Sequence, residues 1–333
     1  MLPATYDSIR QSLNGDGTFR ISNLYGGLTV TAELLASGGL LTGIALVDAY
    51  GAAYWLLQAL FAVSMFRMFV ILHECGHNTL FRHRTANTLV GSLVSPFCLL
   101  PYIPWRNIHF LHHKWVGVVD RDPTQAHLLA LREMSRFEAA MFRVVWKLWI
   151  PVPFMLFVWK VFWMYPYHEW RDGRRANVWK GLLSVLVCAL PHALLMASVG
   201  IAAYLALFGP AIVLFYVIYE IINLPQHSGL FPYTSRTHPA PLPLREQAEI
   251  TRTTYLPRLL ALALNYNFNF HIEHHLFPSV PWYSLPKVTS RIAGLRDFDY
   301  QRVACFTFMV HLRRQDPMDV YVKSLPSPEG DHA

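Results

Sequence analysis

Four stretches of this chain, residues 28–47, 52–72, 181–199 and 201–224, are each about twenty residues long and almost free of charge. A helix of that length crosses ~30 Å of hydrocarbon. Lipid satisfies no backbone N–H or C=O, so such a segment has to be helical. Residues 48–51 join the first two stretches and Gly200 joins the last two, which predicts two helical hairpins. Only 15% of the residues are charged, against about 25% in ordinary soluble domains. Two weaker apolar stretches, 87–103 and 146–165, are interrupted by prolines, and the second also carries Lys147 and Lys160. Interfacial or re-entrant segments are expected there. Segment 1–27 is polar and lacks the apolar core of a cleaved leader, so the first stretch is expected to act as an uncleaved anchor.

The formal charge of +7 might be taken for a nucleic-acid footprint, but its distribution argues otherwise. Segment 1–27 holds two basic residues, 73–180 fourteen and 225–333 eleven, while the two hairpin links hold none. That asymmetry is the positive-inside pattern. It predicts cytoplasmic termini, a cytoplasmic middle segment and a multi-pass protein of a bacterial inner membrane, with no nucleic-acid partner. The expected architecture is all-α and integral to the membrane: four transmembrane helices in two hairpins, with residues 73–180 and 225–320 forming a cytosolic helical cap and residues 1–333 forming one domain.

Nine histidines lie beside these stretches: His73 and His77; His109, His112 and His113; His227; and His271, His274 and His275. H-x-x-x-H occurs once among them and H-x-x-H-H twice. Residues i, i+3 and i+4 share a helix face, so each group can point one way. Asn223 and His227 have the same spacing, and Pro225 between them is expected to open a new helix rather than sit inside an old one. By the charge topology, all nine reach one side of the membrane. Neutral imidazole is the commonest metal ligand, and nine exceed the coordination of one ion. Two metals with four or five imidazoles each would use the set, and spacing alone leaves iron, zinc, copper and nickel open. The four cysteines form no C-x-x-C pair and are expected to stay reduced.

Ligand histidines usually donate their other N–H to a carboxylate or carbonyl. Glu74, Asp120, Asp122 and Glu273 stand close enough in sequence for this, although a turn around Pro123 would also use the two aspartates. Arg252, shortly before the last histidine group, is a candidate contact for a substrate headgroup or carboxylate. Arg106 and Lys114 are weaker candidates. Asn265, Asn267 and Asn269 are placed to cap or orient the helix of that group. Trp282 and Tyr283 are expected at the membrane interface, segment 229–246 as an extended strap, and residues 324–333 as a frayed tail.

The strings HECGHNTLF, HFLHHKW and HIEHHLFP resemble the three histidine boxes of the membrane fatty acid desaturase and hydroxylase superfamily, and NLPQH is similar to an Asn-x-x-x-His element of its acyl-desaturase branch. Order and spacing match over roughly residues 40–290. The resemblance implies a non-haem di-iron enzyme, cycling Fe2+ and Fe3+, that uses O2 and two electrons to attack an unactivated C–H bond of a lipid chain. It implies the nine histidines as iron ligands, Asn223 as holder of a metal-bound water, and a hydrocarbon tunnel in a four-helix stem beneath a cytosolic cap. No HPGG segment or C-x-x-C pair is present, so the electrons are expected from a separate ferredoxin, rubredoxin or cytochrome b5 type donor with its reductase. Fatty acyl desaturation is the leading expectation. Lipid or alkane hydroxylation, or decarboxylation of a fatty acid to a terminal alkene, are the alternatives.

Two non-redox readings fit less well. HECGH matches the H-E-x-x-H of zinc proteases, which would leave seven histidines idle. A metal transporter would carry its ligands near the bilayer midplane. Here only His192 lies deep in a stretch, and a hydrogen-bonded packing role is expected of it.

Overall fold

The computed structural model describes residues 1–296 and 298–326. The chain is mostly helical. After α1 (Pro3–Gly15) come α2 (Asn23–Leu46), α3 (Ala52–His77), α4 (Arg84–Cys98), α5 (Tyr102–Trp115), α6 (Arg136–Lys147), α7 (Val152–Val158) and α8 (Tyr165–Arg171). The long helices α9 (Arg175–Val199) and α10 (Ile201–His227) follow, then the short α11 (Arg258–Asn265), α12 (His271–Leu276), α13 (Leu285–Ile292), α14 (Cys305–Arg314) and α15 (Pro317–Tyr321). Two three-residue strands, β1 (Thr253–Tyr255) and β2 (Arg302–Ala304), pair in parallel.

Helices α2, α3, α9 and α10 are long and apolar enough to cross a membrane. They cover the four expected stretches, except that α2 stops at Leu46, and extend them, including at the ends that carry His73, His77 and His227. Helix α3 is the buried centre, packed against α2, α4 and α10. The outer faces of α2 and α9 expose Leu24, Leu28, Leu35, Leu183, Leu186 and Leu194, as helices bathed in lipid do. The two weaker stretches form bent pairs. Helices α4 and α5 meet at 99°, and α6 meets the α7–π segment ending at Trp163 at 106°. Each corner has a chemical cause: Pro101 disfavours helix at Leu100, Pro151 disfavours it at Ile150, and Leu99 and Trp149 take positive φ.

Pro225 departs from expectation. It lies inside α10, which runs unbroken to His227. Proline removes the N–H that would bind the carbonyl four residues back, and that Ile221 carbonyl instead accepts from the Cys305 thiol at 3.7 Å. The same compensation operates at Pro210, whose freed Ala206 carbonyl accepts from Tyr54 Oη at 2.7 Å and Gln58 Nε2 at 3.0 Å. Gln58 Oε1 in turn accepts the Ala211 N–H at 3.0 Å. At Pro96, the Ser92 carbonyl accepts from Ser95 Oγ. His192 bridges Pro96 O and Tyr204 Oη at 2.9 and 3.0 Å, the packing role expected of it.

One ionic network inside the spans fixes α2, α3 and the segment before α12. Glu33, 2% exposed, pairs with Arg67 at 2.6 Å. Tyr266 Oη donates to the same carboxylate at 2.7 Å, and Ser64 donates to its other oxygen. Burying a charge is costly unless it is paired and hydrogen-bonded, and here each charge has its partner.

Trp282 and Tyr283 make internal ties. The Trp282 N–H donates to Glu74 at 3.0 Å, and Tyr283 Oη takes the Ser22 N–H at 2.8 Å. The expected tail begins as packed chain: Leu325 is buried and the Pro326 carbonyl accepts from Arg132. Residues 327–333 of that tail lie outside the described residues. The proline-rich strap is irregular from Leu230 to Pro243, with a turn at Thr234–His238, and closes in the 3₁₀ turn Leu244–Ile250.

Candidate metal centre

The nine histidines come from four helices far apart in sequence and meet at one place. His73 and His77 end α3; His109, His112 and His113 occupy the last two turns of α5; His227 ends α10; His271, His274 and His275 make up half of α12. They sort into two groups. In one, a ring nitrogen from each of His73, His77, His109 and His274 lies within 4.8 Å of the others. In the second, His112, His227, His271 and His275 meet the same condition. His113 joins the first group, with Nε2 at 3.1 Å from His109 Nε2 and 3.0 Å from His274 Nε2, while its ring stacks on His275.

Several nitrogen pairs are very close: His77–His109 at 2.8 Å, His227–His271 at 2.7 Å and His271–His275 at 3.1 Å. A neutral imidazole has one N–H and one lone pair, so rings crowded together cannot all satisfy each other. Both nitrogens of His73, and Nδ1 of His113 and His271, are buried without a hydrogen-bond partner among the described residues. Two nitrogens side by side on one ion with metal–N bonds of about 2.1 Å are separated by roughly 3 Å, which is the spacing seen here. The donor set therefore fits two metal ions.

Protonation is arranged for ligation. Burial, followed by neighbouring imidazoles, holds His271, His274 and His275 well below the usual histidine range, so they stand neutral. Outer hydrogen bonds then decide which nitrogen keeps its lone pair. His112 Nδ1 donates to Asp122 at 2.7 Å and His275 Nδ1 donates to Gln247 Oε1 at 2.9 Å. His227 Nδ1 reaches the Ile250 carbonyl at 3.4 Å. In each case Nε2 is left to face the group.

Of the four carboxylates singled out from sequence, only Asp122 makes such a bond. It is fixed in turn by the N–H and hydroxyl of Thr124 at 2.9 and 2.8 Å. Glu74 Oε1 is 3.5 Å from His73 Nδ1, but the carboxylate bonds Thr79 and the Trp282 N–H. Asp120 binds Ser235. Glu273 is buried among the hydroxyls of Thr253, Thr289 and Tyr300 at 2.5–2.6 Å. The reason is helical phase: Glu273 lies between His271 and His274, so its side chain leaves the opposite face of α12. Burial raises its carboxyl above the usual range, and the three hydroxyls oppose that shift.

Arg252, the candidate headgroup contact, is engaged within the fold. Its Nη1 donates to the Ser228 carbonyl at 2.6 Å and to the Pro225 carbonyl at 3.4 Å, clamping the end of α10 behind His227. It does not line the cavity described below, nor do Arg106 and Lys114. Two of the three asparagines orient α12 through links to backbone carbonyls rather than a side-chain cap, Asn269 Nδ2 donating to Thr254 and Asn267 Nδ2 to Trp282, while the Asn265 amide is buried without a partner among the described residues. Asn223 donates to the Tyr219 carbonyl and faces the cavity next to His227.

Gln247 escaped the sequence reading. Its amide oxygen holds His275 while its Nε2 donates to the His113 carbonyl at 2.8 Å, tying two boxes together. No motif surrounds it. Thr124 was more accessible, since Asp-x-Thr is a common turn signature. Gly76 also has a packing role: a Cβ there would lie 2.7 Å from the Trp105 ring, which stacks on His109 at 4.5 Å.

A cavity of about 680 Å³ opens onto the groups, touched by His73, His109, His112, His227 and His271. Its walls are mainly apolar, from Leu128, Leu131 and Met134 through Phe142 and Val145 of α6 to Phe154 and Phe157 of α7.

A family model for fatty acid desaturases matches residues 50–307. Among similar proteins, a probable fatty acid desaturase of Sorghum bicolor is 26% identical over 78% of this chain and 68% of its own length. A delta(12)-fatty-acid desaturase of Arabidopsis thaliana is 25% identical over 84% and 74%, respectively. A fatty acid desaturase of Bacillus subtilis (strain 168) is 26% identical over 66% and 62%. The chain is a member of the fatty acid desaturase family, which is a family of membrane oxidoreductases acting on lipids.

Proposed function

We propose that this protein is an O2-dependent di-iron enzyme that abstracts hydrogen from the acyl chain of a lipid, most directly to form a carbon–carbon double bond. The carrying observation is the convergence of nine imidazoles into two groups at the end of an apolar cavity. His73, His77, His109, His113 and His274 would hold one iron. His112, His227, His271 and His275 would hold the other, with Asn223 reaching it through water. The ions supply the oxidant that side chains lack.

The chain's own residues supply position and dryness. Asp122, Gln247 and the Ile250 carbonyl fix which imidazole nitrogen faces inward. The walls of α6 and α7 exclude water from a bound acyl chain. The two hairpins, the cap made by residues 73–180 and 225–320, and the cytoplasmic placement of the centre follow from the charge asymmetry. They put the histidines within reach of a soluble electron donor. The relatives, themselves named as desaturases, support desaturation over hydroxylation or decarboxylation.

The test is expression in a host lacking desaturases, with purified protein assayed for iron. Two irons per chain and new unsaturated acyl chains are expected, both lost in His113→Ala. A correctly folded protein that binds zinc alone, or whose products are alcohols or terminal alkenes, would contradict the corresponding part of the reading.

A further inference from the structure

The cavity carries a cluster of uncharged polar side chains beside the histidines, in addition to His127, Lys160 and the Glu220–Arg313 pair in its lining. Four aromatic side chains beside the histidines, Phe69, Trp105, Tyr219 and Phe268, are buried and in mutual contact, with Phe69–Tyr219 centroids at 4.6 Å and Phe69–Phe268 at 5.5 Å. No residue of α3 before Phe69 and no residue of α10 before Tyr219 lines the cavity. Next to His112 and His227 the lining turns polar, with Thr124, Gln125, Gln226 and Ser228. Both amide atoms of Gln125, Oε1 of Gln226 and Oγ of Ser228 are buried without a hydrogen-bond partner among the described residues. Gln125 is 4% exposed, Ser228 4% and Gln226 0%.

Leaving a buried polar group unsatisfied is costly, and here several such groups face one cavity. Backbone bonds fix their positions. The Gln125 and Ala126 N–H groups bond the Asp122 carbonyl, and Asp122 itself holds His112. The Ser228 carbonyl is gripped by Arg252. Of the charged residues lining the cavity, Arg313 is paired with Glu220 and Lys160 lies on the α7–π segment, while Arg252, behind Ser228, is bonded to backbone carbonyls and does not line it. Neutral donors in an apolar cavity suit a neutral carbonyl oxygen rather than a charged headgroup.

We propose that Gln125 Nε2 and Ser228 Oγ bind the acyl carbonyl of the substrate, so that the carbonyl end lies at the metal centre and the hydrocarbon runs away along α6 and α7. This rests on the lipid-oxidising reading above and adds a regiochemical rule: the aromatic floor stops the chain from threading past the histidines, so the attacked carbon is counted from the carbonyl and lies near it. Gln125 and Ser228 are positioning residues; they touch the substrate's fixed end and set which carbon is presented.

The experiment has a binding arm and a product arm. In the first, purified iron-loaded protein without reductant displaces a fluorescent fatty ester in competition with methyl hexadecanoate or hexadecane. Gln125→Leu is expected to weaken the ester about tenfold, the equivalent of one hydrogen bond, and leave hexadecane unchanged. Ser228→Ala, a smaller change, is expected to weaken the ester less and likewise leave hexadecane unchanged. Equal effects on both ligands, or none on the ester, overturn the proposal. In the second arm, methyl dodecanoate, hexadecanoate and octadecanoate are turned over and the products mapped. A fixed position counted from the carbonyl supports the proposal, and one counted from the methyl end overturns it. Loss of all turnover with the binding pattern intact refutes the assigned activity and leaves the carbonyl site standing.

Discussion

His112 shows how much of this centre depends on a single neighbour. Its Nδ1–H is taken by Asp122, 0% exposed, and the aspartate is locked by Thr124. Asp122→Asn keeps the shape but can present N–H where an acceptor is needed. Iron affinity at the second histidine group is expected to fall by ~10–100-fold, measured as iron retained against a chelator series; full retention would show that the aspartate is only a turn residue. Gly76 is constrained by space instead. Gly76→Ala drives a methyl into the Trp105 ring, and overpacking of this kind costs about 1–3 kcal/mol. A lower unfolding temperature in detergent is expected, together with reduced iron content, because Trp105 carries His109 on its face. Both residues stood in plain view in the sequence, but only Asp122 gave a readable signal, since its spacing from a histidine box is chemical. The demand on Gly76 comes from α5, a different helix.

At the level of elements, prolines within α4 and α10 are tolerated because side chains from elsewhere occupy the carbonyls they free. Gln58 does this most fully, with Nε2 on the Ala206 and Leu207 carbonyls and Oε1 on the Ala211 N–H. Gln58→Leu removes all three bonds in an apolar surrounding, leaving only Tyr54 on the Ala206 carbonyl, and is expected to destabilise the protein by about 1–3 kcal/mol. A double substitution with Pro210→Ala, which restores the helical N–H, should recover part of that loss. Non-additive unfolding free energies would confirm the coupling, and simple additivity would argue against it. Helix lengths and the two bent pairs were legible from hydropathy and proline positions. The continuity of α10 through Pro225 was not, because the compensating Cys305 thiol arrives from a segment eighty-four residues away.

At the scale of the whole molecule, charge asymmetry predicts that Lys323 and Arg10 share the face of the histidines while residues 48–51 lie opposite. Single cysteines placed at these three positions in a cysteine-free background, treated in intact cells with a membrane-impermeant maleimide, should label at residue 48 alone; labelling at residue 323 as well would invert or break the topology. The sequence by itself determined the spans, the family and the nine imidazoles, because hydropathy and i, i+3, i+4 spacing are local properties that any helix expresses. Tertiary structure alone decided how the nine divide between two groups, that Glu273 and Arg252 turn away from them, and that Gln247 joins α12 to the end of α5. These outcomes depend on the relative rotation of packed helices, and a small change in that rotation redirects every side chain without altering a residue.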